Sequence, residues 1–316
     1  MSIQPAYRLA LATSAIIPGI HPDDAHLATS LKLLGIEPIA CVWNDPTIDW
    51  SRFDAVLMRT TWDYFKHYAA FMQWLDRLPI PTINNKRLLK WNSEKRYLLE
   101  LETHGVDIIP TCVATALGLP DALAAMSGRE VVVKPTVSGA AWHTLRGVVG
   151  DETFGRAVAQ LPQELEFLVQ PFVPEIVSDG EWSVLFFDGL YSHSVIKRPV
   201  TGDYRVQADY GGSAEAIEPD AAIIASAQRA LAAAAAIGHA DHAYVRVDGV
   251  MVDGRFLLME LEMIEPSLHL TTRPDAAERF ASNLRRRLDA LRATMNPVSI
   301  DPATDYRGGQ RLSEPR

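Results

Sequence analysis

Tyr7–Thr13 reads Tyr-Arg-Leu-Ala-Leu-Ala-Thr, a nearly unbroken apolar run. A strand with alternating apolar residues needs one covered face, whereas a continuous run needs two, which points to a parallel strand inside an open α/β sheet. The residues that follow agree. Leu27, Leu31 and Leu34 form one stripe of an expected helix over 24–34, with Gly35 as its stop. Ile36–Val42 and 55–58 read as further strands, 68–78 as a helix and 81–84 as a short strand. The expected fold class is α/β: an amino-terminal doubly wound open sheet over residues 1–110, with ligands gathering at the carboxyl ends of its strands.

The remainder alternates differently. Asn92-Ser93 look like a helix cap, placing Lys95 in the first turn of a helix that Gly105 ends. A second unit over 111–172 carries helices near 121–126 and 152–161 and strands at 131–134 and 167–170. A third unit over 173–295 carries strands at 183–187 and 191–197, which meet at Asp188-Gly189. An alanine-rich helix at 220–237 follows, then strands at 244–251 and 256–261 joined by Asp253-Gly254, and a last helix at 276–291. The polar stretch 296–316, rich in Pro, Gly and Arg, is expected to be disordered.

With 316 residues there is material for two or three subdomains. A formal net charge of −9 argues against a general affinity for nucleic acid or anionic membranes. Cys41 and Cys112 are too few for a disulfide scaffold or a thiolate zinc cluster. No apolar run reaches the roughly 20 residues that cross a bilayer. Arg8 with Leu9–Ala12 imitates a leader, but it runs into Pro18, Gly19 and Pro22 and suits a buried strand better. A cytoplasmic metabolic protein is expected.

The strongest chemical signal is Val245-Arg246-Val247-Asp248 followed by Glu260-Leu261-Glu262. Residues two apart on a strand share a face, so Glu260 and Glu262 face the same way and repel each other unless a cation intervenes. Asp248 on the neighbouring strand offers a third oxygen, and Mg²⁺ suits such a set. Next comes Val131-Val132-Val133-Lys134-Pro135, where a lysine ending a buried strand demands an anionic partner. The small residues Ser138, Gly139 and Ala140 beyond it let backbone N–H groups approach phosphates. Gln170, Pro171, Phe172 and Val173 form a connector able to offer backbone groups to a nucleobase, with Glu181 beyond. Lys197, Arg205 and the pair Gly211-Gly212 suit a phosphate or carboxylate cradle.

The order of these elements resembles the ATP-grasp superfamily, in particular the glutathione-synthetase-like ligases, most densely from Leu168 to Gly212. Within it, Arg59-Thr60-Thr61-Trp62-Asp63-Tyr64 and Ser192-His193-Ser194-Val195-Ile196-Lys197-Arg198-Pro199 are similar to the subgroup containing D-cycloserine synthetase, which cyclises O-ureido-D-serine. The resemblance implies two ATP-grasp subdomains of α+β character enclosing ATP and Mg²⁺, with Mn²⁺ as a substitute, and a place in antibiotic biosynthesis. By position, Lys95 and Lys134 would hold phosphates, Gln170 to Val173 would flank adenine, and Glu181 would sit near ribose. Asp248, Glu260 and Glu262 would bind the metal, and Arg205, with Lys197, would serve the acyl phosphate. The pattern departs from the family in two places. The loop after Lys134 carries only Gly139, with Ser138, His143 and Thr144 as candidate replacements for backbone contacts, and the last metal position is Glu262 rather than asparagine.

The implied activity is ligation of a small carboxylate to an amine through an acyl phosphate. The loop 136–144 would act as a lid, and Arg59 and Asp63 would grip an amino acid's carboxylate and ammonium. A phosphotransferase or a non-catalytic nucleotide-binding module on the same scaffold are the rival readings, and homodimerisation is left open.

Overall fold

A computed structural model describes residues 5–295; the disorder expected for 296–316 lies outside them. The first sheet is parallel, in the order β2-β1-β3-β4, from β1 (Tyr7–Thr13), β2 (Ile36–Val42), β3 (Ala55–Thr60) and β4 (Thr82–Ile83). Two helices accompany it, α1 (Ala25–Leu33) and α2 (Tyr68–Arg77). Strand alternation splits the apolar runs between two cores. Tyr7, Leu9 and Leu11 join Ala55 and Leu57 against Leu27 and Leu31 of α1, whereas Ala10 and Ala12 join Val56 and Met58 against Phe71 and Leu75 of α2. Every residue of β3 is buried, as a strand covered on both faces requires.

Helices α3 (Lys86–Asn92) and α4 (Tyr97–Thr103) come next. The expected cap at Asn92-Ser93 is corrected here: Asn85 caps α3, its side chain accepting from the Leu88 N–H at 3.0 Å, and Asn92 ends that helix instead. Lys95 sits in the turn between α3 and α4 rather than in a helix.

The second sheet, ordered β5-β8-β6-β7, is antiparallel: β5 (Cys112–Thr115), β6 (Glu130–Pro135), β7 (Leu145–Val148) and β8 (Glu166–Pro171). Helices α5 (Leu119–Ala124) and α6 (Glu152–Ala159) pack on it through Leu119, Leu123, Phe154 and Val158. The short α7 (Glu175–Ser178) leads into the third sheet. That sheet is ordered β11-β10-β9-β12-β13 and is antiparallel: β9 (Glu181–Phe187), β10 (Leu190–Arg198), β11 (Ser213–Ala216), β12 (Tyr244–Val252) and β13 (Arg255–Glu262). Helix α8 (Ala221–Ala236) covers one face, sharing a core with Val184, Phe186, Val245 and Val247.

The last helix, α9 (Ala276–Met295), returns to the first sheet: Phe280, Ala281, Leu284 and Leu288 join the core of β1 and α1 together with Phe187 and Tyr244. The first and third sheets therefore share one hydrophobic core. Among the described residues no helix is long and apolar enough to cross a membrane.

Candidate active site

Side chains from the first part of the chain fix the backbone just beyond β13. Asn92 Nδ2 donates to the Leu261 carbonyl (2.6 Å), and Asn92 Oδ1 accepts from the Met263 N–H (2.7 Å). Asn84 Nδ2 donates to the Met263 carbonyl (2.8 Å), Trp62 Nε1 to that of Glu265 (2.9 Å) and an Arg59 Nη1 to that of Pro266 (3.3 Å). The Tyr244 hydroxyl takes the Ile264 carbonyl at 2.6 Å. Each carbonyl off the sheet would otherwise be a buried orphan, so this ladder is what lets a non-repetitive segment lie in the interior.

This segment forms one wall of a cavity of about 600 Å³. Glu260, Glu262, Glu265 and His269 line it from β13 onward, Lys197 and Arg246 from β10 and β12. Lys95 enters from the α3–α4 turn, Ser138–Ala140 from the loop after β6, and Asp23 and Trp62 from the first sheet's side.

Strand register explains the charges. Arg246 lies opposite Glu262 and Asp248 opposite Glu260, so four ionised side chains come to one face by alternation. Arg246 forks onto Asp248 (Nε–Oδ1 2.9 Å, Nη2–Oδ2 2.8 Å) and reaches Glu262 Oε1 at 2.5 Å. Lys197 Nζ stands 2.5 Å from Glu181 and 3.3 Å from Asp248, and the Ser183 hydroxyl donates to Asp248 at 2.6 Å. Lys95 Nζ stands 2.9 Å from Glu260 and donates to the Ser138 carbonyl. The repulsion between Glu260 and Glu262 is thus offset by Lys95 and Arg246. Among the described residues no group of three His, Cys, Asp or Glu is disposed to hold a metal.

The protonation pattern follows from that wiring. Burial would raise the Glu260 carboxyl, but Lys95 and Lys134 hold it below its ordinary value. Burial pushes Glu262 up to about 7 despite Arg246, with Glu260 and Asp248 adding to the rise. Burial and then Glu262 push Glu265 up to about 8. Lys134 has no hydrogen-bond or ion-pair partner among the described residues, and burial lowers its amine, with Lys95 contributing and Glu260 opposing. Burial, then Arg246 and Lys197, push His269 down to about 3, so its imidazole is neutral.

The glycine-poor loop 136–144 folds at the expense of strain. Ala140 (φ 47°), Ala141 (φ 56°) and His143 (φ 50°) all take left-handed conformations that favour glycine, at a cost of order 1 kcal/mol each. Gly139 is constrained in another way: a Cβ there would lie 2.7 Å from Phe65 Cε1. Trp142 stands 5.5 Å from the Phe65 ring, and the Tyr210 hydroxyl donates to the Ala140 carbonyl at 3.1 Å, so the loop tip touches both flanking parts of the chain. Ser138 turns its hydroxyl back to the Pro135 carbonyl at 3.0 Å, and His143 is exposed.

Several expected residues stand elsewhere. Arg59 is buried and spent on Asp24 (Nη2–Oδ1 2.8 Å, Nε–Oδ2 3.1 Å), and Asp63 accepts from Trp43 Nε1 at 2.8 Å. Neither borders the cavity; their neighbours Trp62 and Asp23 do. Arg205 pairs with Asp203 (Nη2–Oδ2 2.7 Å) and lies 3.7 Å over the Tyr210 ring, again off the cavity wall. Gly211 is left-handed (φ 81°), and a Cβ on Gly212 would collide with the Val206 carbonyl at 2.1 Å; Gly212 lines the cavity. The connector lies outside that wall: Gln170 Nε2 donates to Thr111 Oγ1 (2.8 Å), the Phe172 N–H to the Glu130 carbonyl (2.9 Å), and Arg146 stacks 3.5 Å over the Phe172 ring. Pro171 ends β8, and Val173 is buried beside Ile109 and Ile176.

The profile of the amino-terminal domain of the D-cycloserine synthetase DcsG matches residues 9–84. Over 301 residues the chain is 36% identical to the cycloserine biosynthesis protein DcsG of Streptomyces lavendulae, an alignment covering 89% of this chain and 98% of the relative. The chain belongs to the D-cycloserine synthetase family. The crystal structure of D-cycloserine synthetase DcsG superposes with a TM-score of 0.80 at 36% identity, covering 89% of this chain and 99% of that one. The D-alanine–D-alanine ligase of Bacillus anthracis shares the fold at 18% identity, with a TM-score of 0.64 and 92% and 100% coverage. The family's fold is that of the ATP-grasp ligases.

Proposed function

We propose that the chain is an ATP- and Mg²⁺-dependent carboxylate–amine ligase acting on a small amino-acid-like substrate, and that it closes the activated carboxylate onto a nitrogen of the same molecule, as D-cycloserine synthetase does. One observation carries the reading: Lys95, the Ser138–Ala140 backbone, Arg246, Lys197 and the pair Glu260/Glu262 converge on a single cavity. The residues fit their missing partners. Lys134 is a partly buried cation whose side chain makes no direct ion pair or hydrogen bond among the described residues, which suits a phosphate. Burial and neighbouring carboxylates hold Glu262 and Glu265 near neutrality, and added positive charge would ionise them, which suits a divalent ion at Glu260 and Glu262. Asp248 is already engaged by Arg246, Lys197 and Ser183 and is the weaker ligand. Bound there, Mg²⁺ supplies charge neutralisation for the phosphates.

The chain's own residues do the rest. Lys95 and Lys134 hold phosphate oxygens while a substrate carboxylate oxygen attacks the γ-phosphorus and ADP departs. Arg246 and Lys197, on the cavity wall, take the stabilising role first given to Arg205 and hold the acyl phosphate as the nitrogen displaces phosphate. The 136–144 loop keeps water from the acyl phosphate. Adenine binding by the connector requires Arg146 to leave the Phe172 face.

A screen of ADP and phosphate release over amino acids and their O-ureido and aminooxy derivatives tests this, with product analysis by mass. ADP release with a new carbon–nitrogen bond is expected. ADP with a stable phosphorylated product makes the chain a phosphotransferase, and no nucleotide turnover with any carboxylate removes the ligase reading.

A further inference from the structure

We infer that Arg146 is a built-in competitor for the nucleobase: its guanidinium holds the base slot, and a nucleotide binds by displacing it. The inference rests on the nucleotide-binding part of the ligase reading and adds a regulation of that site. The second sheet supplies the slot. On one of its faces Val131, Val133, Phe167 and Val169 pack under α5 and α6. Strand alternation turns Glu130, Val132 and Lys134 to the other face. Arg146 and Gln170 both lie opposite Val132, one on each side of β6, so they share that face. Leu168, opposite Lys134, packs there with Val184 and Leu258, which shows that the face is turned to the third sheet.

Lys134 fixes the direction of a nucleotide on this face. Beyond it the chain runs into the loop whose Ser138–Ala140 line the cavity, so phosphates at Lys134 lie toward the cavity. The base then lies the other way, over Val132, about 7 Å back along the strand. Arg146 fills that place. Its Cζ lies 3.5 Å from the centroid of the Phe172 ring and 5.2 Å from that of Tyr204. The two rings stand nearly perpendicular, at 85° and 6.0 Å, and the guanidinium sits between them. At 3.5 Å two flat groups are in van der Waals contact, so nothing enters between them. A guanidinium and a nucleobase are both planar and both stack on aromatic faces, and only one of them can cover Phe172.

The latch is made to lift. Arg146 Nε donates to Glu130 Oε1 at 2.9 Å, but the two side chains keep 28% and 40% of their exposure, and an ion pair so open to water holds weakly. The guanidinium therefore has solvent to swing into when a base arrives. Its departure also removes the contact to Tyr204, which ties the segment after β10 to the second sheet. That segment carries Tyr210, whose hydroxyl reaches the Ala140 carbonyl on the 136–144 loop. Displacing Arg146 thus couples occupation of the base slot to the parts of the chain that enclose the cavity.

The test compares Mg-ADP with Mg-tripolyphosphate, which has no base, by calorimetry on the full-length protein. Arg146→Ala should bind Mg-ADP about threefold to thirtyfold more tightly than the wild type, the scale of one cation–π contact removed. It should bind Mg-tripolyphosphate no more tightly, because the variant has only lost a positive charge. Glu130→Ala unties Arg146 without removing it and should tighten Mg-ADP by a smaller factor; it carries the test alone if Arg146→Ala does not fold. Mg-ADP affinity that is equal or weaker in the variants overturns the competitor, and so does an equal gain for both ligands. With ADP release by the wild type intact, either result leaves the ligase reading standing. Tighter Mg-ADP binding by the variants, with no ADP release on any carboxylate, supports the competitor and removes the ligase reading. Binding of Mg-ADP by neither wild type nor variants overturns both.

Discussion

Two buried arginines show how the same residue type serves opposite ends. Arg59, at the end of β3, meets one carboxylate, Asp24, and one carbonyl, Pro266, and does not line the cavity. Arg246, in β12, divides itself between Asp248 and Glu262 and lines the cavity. The first pair is closed: charge and donors are matched, as a stable interior requires. The second is overdrawn, because Arg246, Lys95, Lys134 and Lys197 face Glu181, Asp248, Glu260, Glu262 and Glu265, one carboxylate more than they can match. A buried arginine therefore marks a site when its surroundings are left charged, and marks a scaffold when they are not.

Conservative replacement at the two positions tests the contrast most sharply. Arg246→Lys keeps the charge but loses the fork, and kcat for ADP release should fall by about a hundredfold or more, on the scale of a lost transition-state donor. Arg59→Lys should instead cost about 3 kcal/mol of stability, read as a shift of the urea midpoint, because Asp24 loses its bidentate partner in the interior. Its kcat should change less than threefold. A turnover loss at Arg59→Lys equal to that at Arg246→Lys, with no stability change, would break the comparison.

The loop gives a smaller effect. Gly139→Ala puts a methyl group against the Phe65 ring, an overpacking worth about 1–3 kcal/mol. The KM for ATP should rise several-fold and global stability fall by no more than that overpacking, with the Trp142 fluorescence shifted as its contact with Phe65 opens. A variant with wild-type KM and emission would mean that the loop does not depend on that contact.

The smallest effect is a slope. Glu262 and Glu265 bind protons more tightly folded than unfolded, at about 7 and 8, against about 4.3 in an exposed chain. The unfolded protein thus carries fewer protons through this range, and ligand-free stability falls as pH rises from 7 to 8.5. The buried histidines oppose this only below about pH 6.5, where an unfolded histidine gains its proton. Glu265→Gln should flatten the decline, and saturating Mg-ADP should flatten it further. A Tm that rises between pH 7 and 8.5 would show that the carboxylates are matched after all.

Much of this was legible in the chain itself. The unbroken run in β1 gave a two-sided parallel strand, and the parity of Glu260 and Glu262 gave a shared face. Parity also placed Arg246 on the face of Asp248, but an arginine between two valines reads as an edge residue until the register across β12 and β13 is known. Edge strands escaped for a related reason. All four residues of β11 are exposed, and β7 is short and contains Gly147, so neither carries a periodic apolar signal. Asn84, Asn92 and Trp62 were invisible as a group, since their common target is a backbone segment more than 160 residues away.

The return of α9 to the first sheet bears on how the molecule is made. Tyr7, Leu9 and Leu11, packed by Leu27 and Leu31, are only partly covered until Phe280, Leu284 and Leu288 arrive, and the Tyr7 hydroxyl finds Asp289 across 282 positions at 2.5 Å. A ribosome adding about 5–20 residues per second exposes that strand for on the order of half a minute. So wide a contact separation slows the final step. The first domain to be synthesised is accordingly among the last to be finished, and its apolar strand is the place where a chaperone has something to hold.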